Sequence, residues 1–417
     1  MKNILLLGNG FDLYHKLPTK YANFLHVVDF LQKNHSTKFE TVGDVFSQAS
    51  LQEIDPFIKK CYEALTNTYN SVLLDSDALV KIVKLTEKNI WFLYLQTVFN
   101  KDVGWIDFEK EIGVVLKCFE KAFKKHTHFI FHSDEQYERY ILSRFDFFIS
   151  KAPAGKFSTP GAYEVNKDYC IETPIGSKNY TINASKVVDK LYEELVNLSK
   201  ALELYLKCFI ESTYEVLKDG GRYKTIGIFS YIDRAITFNY TNTYERFYSN
   251  KSAFHIHGSI DNEIVLGVNP DDADNLENLD TTFLCFKKYF QRTLFETDTE
   301  YLRWMTGVIL AKVPYRLFTM GHSLDVTDKE IIAELFQNAE EIIVMYHDLD
   351  AKKSYISNLV AIFGKDGFDI LKKEKKLTFV SPEQDLTWLI EMFRKEEALD
   401  ELHAMCFGEE GEKIVVV

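Results

Sequence analysis

Proline and cysteine are both scarce in this chain, with eight and six in 417 residues, and each scarcity excludes something. Cys61, Cys118, Cys170, Cys208, Cys285 and Cys406 never fall as Cys-x-x-Cys. That spacing leaves no zinc ribbon and fits free thiols in a reducing compartment. No apolar run approaches the ~20 residues needed to cross a bilayer. The first residues read as core strand rather than as a cleavable leader, so a cytoplasmic location without membrane contact is expected. Positive charge is also short: 49 Lys and Arg against 62 Asp and Glu leave a net charge of -13. A dedicated nucleic-acid surface needs a basic stripe, and no run in the sequence advertises one. Lys121, Lys124 and Lys125 read as the solvated face of a helix. Internal repeats and low-complexity tracts are absent as well.

What the chain does have begins at once. Asn3 to Asp12 reads Asn-Ile-Leu-Leu-Leu-Gly-Asn-Gly-Phe-Asp, an apolar strand running into a glycine turn. Glycine there admits either a positive φ or a close backbone approach. A helical pattern follows from about Pro18, with Tyr21, Phe24, Leu25, Val28 and Leu31 on one face. Strand, glycine turn and helix make a corner where α/β proteins hold phosphate on backbone N–H groups. The third glycine of the dinucleotide fingerprint is missing, because Leu13 stands in its place.

About two hundred residues of mostly helical pattern then intervene. Val188, Leu191, Leu195, Leu198, Leu202, Tyr205 and Phe209 recur three and four apart, with Ser185 placed to cap and Gly220-Gly221 to stop. So long a seam needs covering, either within the chain or by a second copy in a homo-oligomer. Three of the eight prolines (Pro153, Pro160 and Pro174) gather in Lys151 to Thr181, which reads as a loop or small hairpin. From 225 onward short strands alternate with helices: Ala235–Phe238, Ala253–His257, Ile264–Val268, Leu317–Met320, Glu341–Tyr346 and Leu377–Val380. That alternation predicts an α/β fold, a Rossmann-like and mostly parallel sheet interrupted by a large helical insertion. The expected division is 1–34 plus 222–417 for the α/β nucleotide-binding domain and 35–221 for the insertion. Ligands in such sheets sit at the carboxyl ends of the strands.

Gly-Asn-Gly-Phe-Asp at 8–12, Leu-Pro-Thr at 17–19, and then Tyr21 and Phe24 closely resemble the opening of bacterial abortive-infection proteins of the AbiH family. The resemblance continues through Trp-Ile-Asp-Phe-Glu at 105–109, Thr-Phe-Asn-Tyr-Thr at 237–241, His-Ile-His-Gly-Ser at 255–259 and Gly-His-Ser-Leu-Asp at 321–325. It implies a role in antiphage defence, with a phage protein as a candidate trigger.

Four patches, in order, are also similar to the NAD site of sirtuins. Gly8, Gly10, Phe11, Leu17 and Pro18 match their opening, and Thr237, Asn239 and Thr241 their Thr-x-Asn-x-Asp. His257-Gly258 matches the pair that holds their catalytic histidine; Gly321, Ser323, Leu324 and Val326 match a later Gly-x-Ser-Leu-x-Val. Two positions depart: Thr241 stands where an acid is expected, and Asp12 where sirtuins carry a small hydroxyl residue.

This likeness implies NAD as substrate or ligand, with no prosthetic group. Gly8, Asn9, Gly10 and Phe11 would cradle pyrophosphate, Thr237 and Gly321 would also bind the dinucleotide, and Ser323 and Asp325 would hold the adenosine ribose. Asn239 would hold the nicotinamide ribose or orient water, His257 would act as base, and Asp12 would face developing positive charge. Each has a plainer alternative: a tight turn for the glycines, caps for Asn239 and Asp325. His255 and His257, two apart on a strand, would share a face, yet no carboxylate or cysteine spacing completes a metal site.

Trp105, Asp107 and Glu109 are candidate cleft residues from the insertion; Asp107 or Glu109 equally suits a helix start. The favoured activity is hydrolysis of NAD to nicotinamide and ADP-ribose. The rival is a non-catalytic nucleotide-binding sensor or regulatory module. A nuclease is disfavoured by the acidity and the lack of a metal-binding carboxylate cluster.

Overall fold

A computed structural model describes residues 1–51, 56–99, 107–124, 136–150, 163–171, 181–219, 226–248, 252–269, 281–381 and 386–395. Trp105 and most of the 151–181 loop lie outside the described residues.

Six parallel strands form one sheet: β1 Lys2–Leu7, β2 Arg234–Thr237, β3 Ala253–His255, β4 Tyr315–Met320, β5 Glu341–Met345 and β6 Leu377–Val380. Their spatial order is β6-β5-β4-β1-β2-β3. The Ile-Leu-Leu-Leu run of β1 is buried throughout because both faces of the sheet are covered. Ile4 and Leu6 face one core with Leu317 and Ile342. Leu5 and Leu7 face the other with Phe318 and Ile343, as a period of two requires. The chain leaves β1 toward β2 and β3, then restarts on the opposite flank at β4. The switch point therefore lies between β1 and β4, where doubly wound sheets open a crevice beyond the strand ends.

Between β1 and β2 the described chain is mainly helical, with two short antiparallel hairpins, Phe148–Ser150 with Tyr163–Val165 and Cys170–Ile171 with Thr181–Ile182. The helix Ala184–Phe209 buries Leu191, Leu195, Leu198, Leu202 and Tyr205 along its seam. Its cap is Asn183, whose side-chain oxygen accepts from the Lys186 N–H, and not Ser185. The seam is covered within the chain, as in the bond from Trp91 Nε1–H to the Leu191 carbonyl. The helix Tyr21–Lys33 belongs to this helical core as well.

Ile264–Val268, expected as a strand, is irregular, with a single bridge from Val268 to Lys287. It is buried by its surroundings rather than by a sheet, and a short apolar run cannot distinguish the two. Among the described residues, no helix is long and apolar enough to cross a membrane.

Candidate functional site

Two loops cross at the switch point. The Gly8 N–H donates to the Met320 carbonyl (3.1 Å), Gly10 N–H to the Gly321 carbonyl (2.8 Å) and Phe11 N–H to the Gly8 carbonyl (2.9 Å). A Cβ on Gly8 would sit 2.5 Å from His322 Cα, and one on Gly10 2.6 Å from Gly321 Cα. Close backbone approach is therefore what demands these two glycines, while positive φ (+70°) belongs to Gly321. Gly321→Ala would place its Cβ 2.1 Å from Phe11 N on a left-handed backbone. It is expected to cost about 3 kcal/mol or more, read by urea unfolding; a loss below about 1 kcal/mol would mean the crossing is slack. Phe11 itself is a core residue, edge-on to His15 at 4.8 Å. Asn9 accepts from the Thr19 hydroxyl at 2.5 Å.

Behind this crossing lies Asp12, 1% exposed. Its Oδ2 accepts from the Thr241 hydroxyl at 2.7 Å, Thr243 donates to Thr241 at 3.1 Å, and the Tyr214 hydroxyl lies 2.6 Å from that of Thr243. Asp12 Oδ1 is buried with no hydrogen-bond partner among the described residues. Burial raises the Asp12 pKa to about 6, against the opposing hydrogen bonds of Thr241, Thr243 and Asn239. Asn239, also buried, donates its side-chain amide to the Gly8 carbonyl (3.1 Å) and its N–H to Thr237 Oγ1 (3.1 Å). Asp12, Thr237, Asn239 and Thr241 thus converge as a first polar group.

A second group centres on Asp328. Its Oδ1 lies 3.1 Å from Lys288 Nζ and 3.3 Å from His257 Nε2; its Oδ2 lies 3.6 Å from His322 Nε2. Lys288 in turn holds Glu109 at 2.7 Å. Burial would neutralise Asp328, but Lys288 and His257 outweigh it and hold its pKa well below the usual value. Burial opposes charge on Lys288 too, and Asp328 and Glu109 outweigh that. For His257, burial and then Lys288 push the pKa down to about 4 despite Asp328. The Phe238 ring lies 5.0 Å from His257 and 4.5 Å from His322, linking this group to the end of β2.

His255 and His257 do not share partners. β3 ends at His255, which bonds Glu245 and the Asn239 carbonyl (both 3.1 Å), while His257 sits in the turn beyond. Of the insertion residues, Glu109 reaches the site. Asp107 accepts from the Lys110 N–H at 3.1 Å as a helix-start cap. Asp325 caps the turn at Thr327 (3.1 Å), and the exposed Ser323 engages Asn358 through its carbonyl. No group of three or more His, Cys, Asp or Glu suited to a metal occurs among the described residues. Lys288, His322 and Asp328 were not singled out from sequence. His322 lies within a motif that was, whereas Lys288 and Asp328 look like ordinary helix and turn residues.

The fold and these clusters define an α/β protein in doubly wound order, with two buried polar groups at its switch point and a helical insertion that donates one acid. The chain belongs to the family described as Bacteriophage abortive infection AbiH, whose profile matches residues 4–347. No curated protein and no solved structure matches the chain significantly.

Proposed function

We propose that this protein, one of the bacteriophage abortive-infection proteins by family, binds NAD at the β1/β4 switch point and hydrolyses it to nicotinamide and ADP-ribose. One observation carries the reading. Asp12 and Thr241, the two positions that depart from the sirtuin pattern, are each other's hydrogen-bond partners at 2.7 Å. The carboxylate and hydroxyl have exchanged places, one on the helix Asn9–Tyr14 and the other in the loop after β2, and each departure accounts for the other.

Water replaces nicotinamide at the ribose carbon, the glycosidic electron pair leaves with nicotinamide, and the water gives up a proton. Asp12, mostly ionised at pH 7, faces the positive charge that builds on the ribose. Asn239, anchored to the glycine turn, positions the ribose or the water. His257, neutral throughout the physiological range, takes the proton. NAD is substrate here, with no prosthetic group.

The rival reading is a nucleotide-binding module without turnover, and access to the site bears on both readings. The corner is closed: Asp12, Asn239, His257, Lys288 and Asp328 are each at most 9% exposed. The Gly10 and Phe11 amides are also already bonded within the protein.

Incubating the protein with NAD and measuring nicotinamide by mass spectrometry decides between them. His257→Ala and Asn239→Ala are each expected to lower turnover by about 10²- to 10⁴-fold. Affinity for ADP-ribose should change far less in His257→Ala, since a lone neutral hydrogen bond contributes about 1 kcal/mol. If protein activated in phage-infected cells leaves NAD intact, the hydrolase reading fails.

A further inference from the structure

We propose that Asp328 is a positioning residue that fixes the ring of His257 as its Nε2–H tautomer, and that Lys288, held by Glu109 of the helical insertion, keeps Asp328 in its accepting form. Its bearing on turnover rests on the reading of His257 as the base; the tautomer itself does not.

An ionised carboxylate only accepts, so a ring nitrogen facing it is best satisfied when it carries the proton. Both oxygens of Asp328 face imidazole Nε2 atoms. For His322 the tautomer is independently fixed, because its Nδ1 accepts from the Leu324 N–H at 2.9 Å. Its Nε2 then carries the proton and points at Oδ2. For His257, Oδ1 at 3.3 Å is the facing acceptor, although Nε2 lacks a fully formed hydrogen bond. Catalytic contacts are often this loose before ligand binds. The lone pair is left on Nδ1, free of Asp328.

Asp328 acts this way only while it is ionised. Lys288 is 1% exposed and supplies the compensating charge. Without that charge a carboxylate this deeply buried would take up a proton, become a donor and reverse the preference. Glu109 completes the chain at 2.7 Å from Lys288. Its helix, Phe108–Lys124, is registered by the stack of Phe108 on Tyr21, with centroids 4.2 Å apart and planes 5° from parallel. The insertion therefore contributes to the state of His257 across two ion pairs. Arg292 is the other charge that His257 feels.

The test is imidazole ¹⁵N NMR on full-length protein labelled at histidine, with the His257 signals assigned by their loss in His257→Ala. The wild type is expected to show protonated Nε2 and unprotonated Nδ1 at pH 7.5. Asp328→Asn should yield mixed tautomers and reduce kcat by about 10- to 100-fold with KM for NAD nearly unchanged. Asp328→Glu should recover both in part. A wild-type Nδ1–H tautomer overturns the proposal even if every variant misfolds, and so does an unchanged tautomer in Asp328→Asn. If the tautomer responds but wild-type protein never consumes NAD, the positioning role stands and the hydrolase reading alone is lost.

Discussion

Asp12→Asn is expected to make the protein more stable above pH 6 while ending the proposed NAD hydrolysis. The native carboxyl is shifted from 3.8 to about 6 because burial disfavours its charge. The sign follows from proton counting. Between those two values the folded chain holds a proton that the unfolded chain has released, so stability falls as pH rises through this interval. The loss is complete above about pH 7. Two pKa units set a ceiling of about 3 kcal/mol. An amide has no such ionisation, and its oxygen can still accept from Thr241. The variant and wild type should therefore unfold alike in urea near pH 4 and diverge by up to that amount at pH 8. Equal pH dependence in the two proteins would show that Asp12 is not held in this unfavourable state. On the proposed reaction, NAD turnover in the wild type should rise with pH through about 6, since the anion is the form that would face positive charge.

Lys288→Met should have the opposite effect on stability. It leaves Asp328 and Glu109 buried without their shared counter-charge, and removing one partner of a buried pair costs about 3–5 kcal/mol. Native Asp328, with its pKa held down, contributes stability above about pH 4 that is lost as the pH falls through its folded value. The deficit of the variant should accordingly be greatest at pH 8 and shrink on acidification. Adding Glu109→Gln removes one stranded carboxylate and should recover part of the loss; a double-mutant cycle gives the coupling. A single-variant cost below about 1 kcal/mol would mean the ions are better hydrated than their burial implies.

The parts of this molecule that were legible in sequence are those set by local pattern. Ile4 to Leu7 followed by glycine could only be a buried strand ending in a tight corner, and Leu317–Met320 before Gly321 repeats that logic on the other side of the switch point. The helix Ala184–Phe209 declared itself by its three-four spacing. Asp107 was legible as one of two things, and local capping decided which. Lys288 was hidden because it sits among Lys-Lys-Tyr-Phe, where a lysine normally faces water. Its partners, Glu109 and Asp328, are brought to it by tertiary packing, which no periodicity records. The crossing of Gly10 with Gly321 is another long-range fact: each glycine was visible, but the reason for it was the other.

The strand order has a consequence for synthesis. β1 leaves the ribosome before the other five strands of the sheet, yet Lys2 pairs with Tyr315 and Ile4 with Arg234. At roughly 5–20 residues per second, the central strand waits on the order of 15–60 s for its second neighbour. During that time Ile-Leu-Leu-Leu is an unpaired apolar edge on a nascent chain, the kind of segment that aggregates or recruits a chaperone.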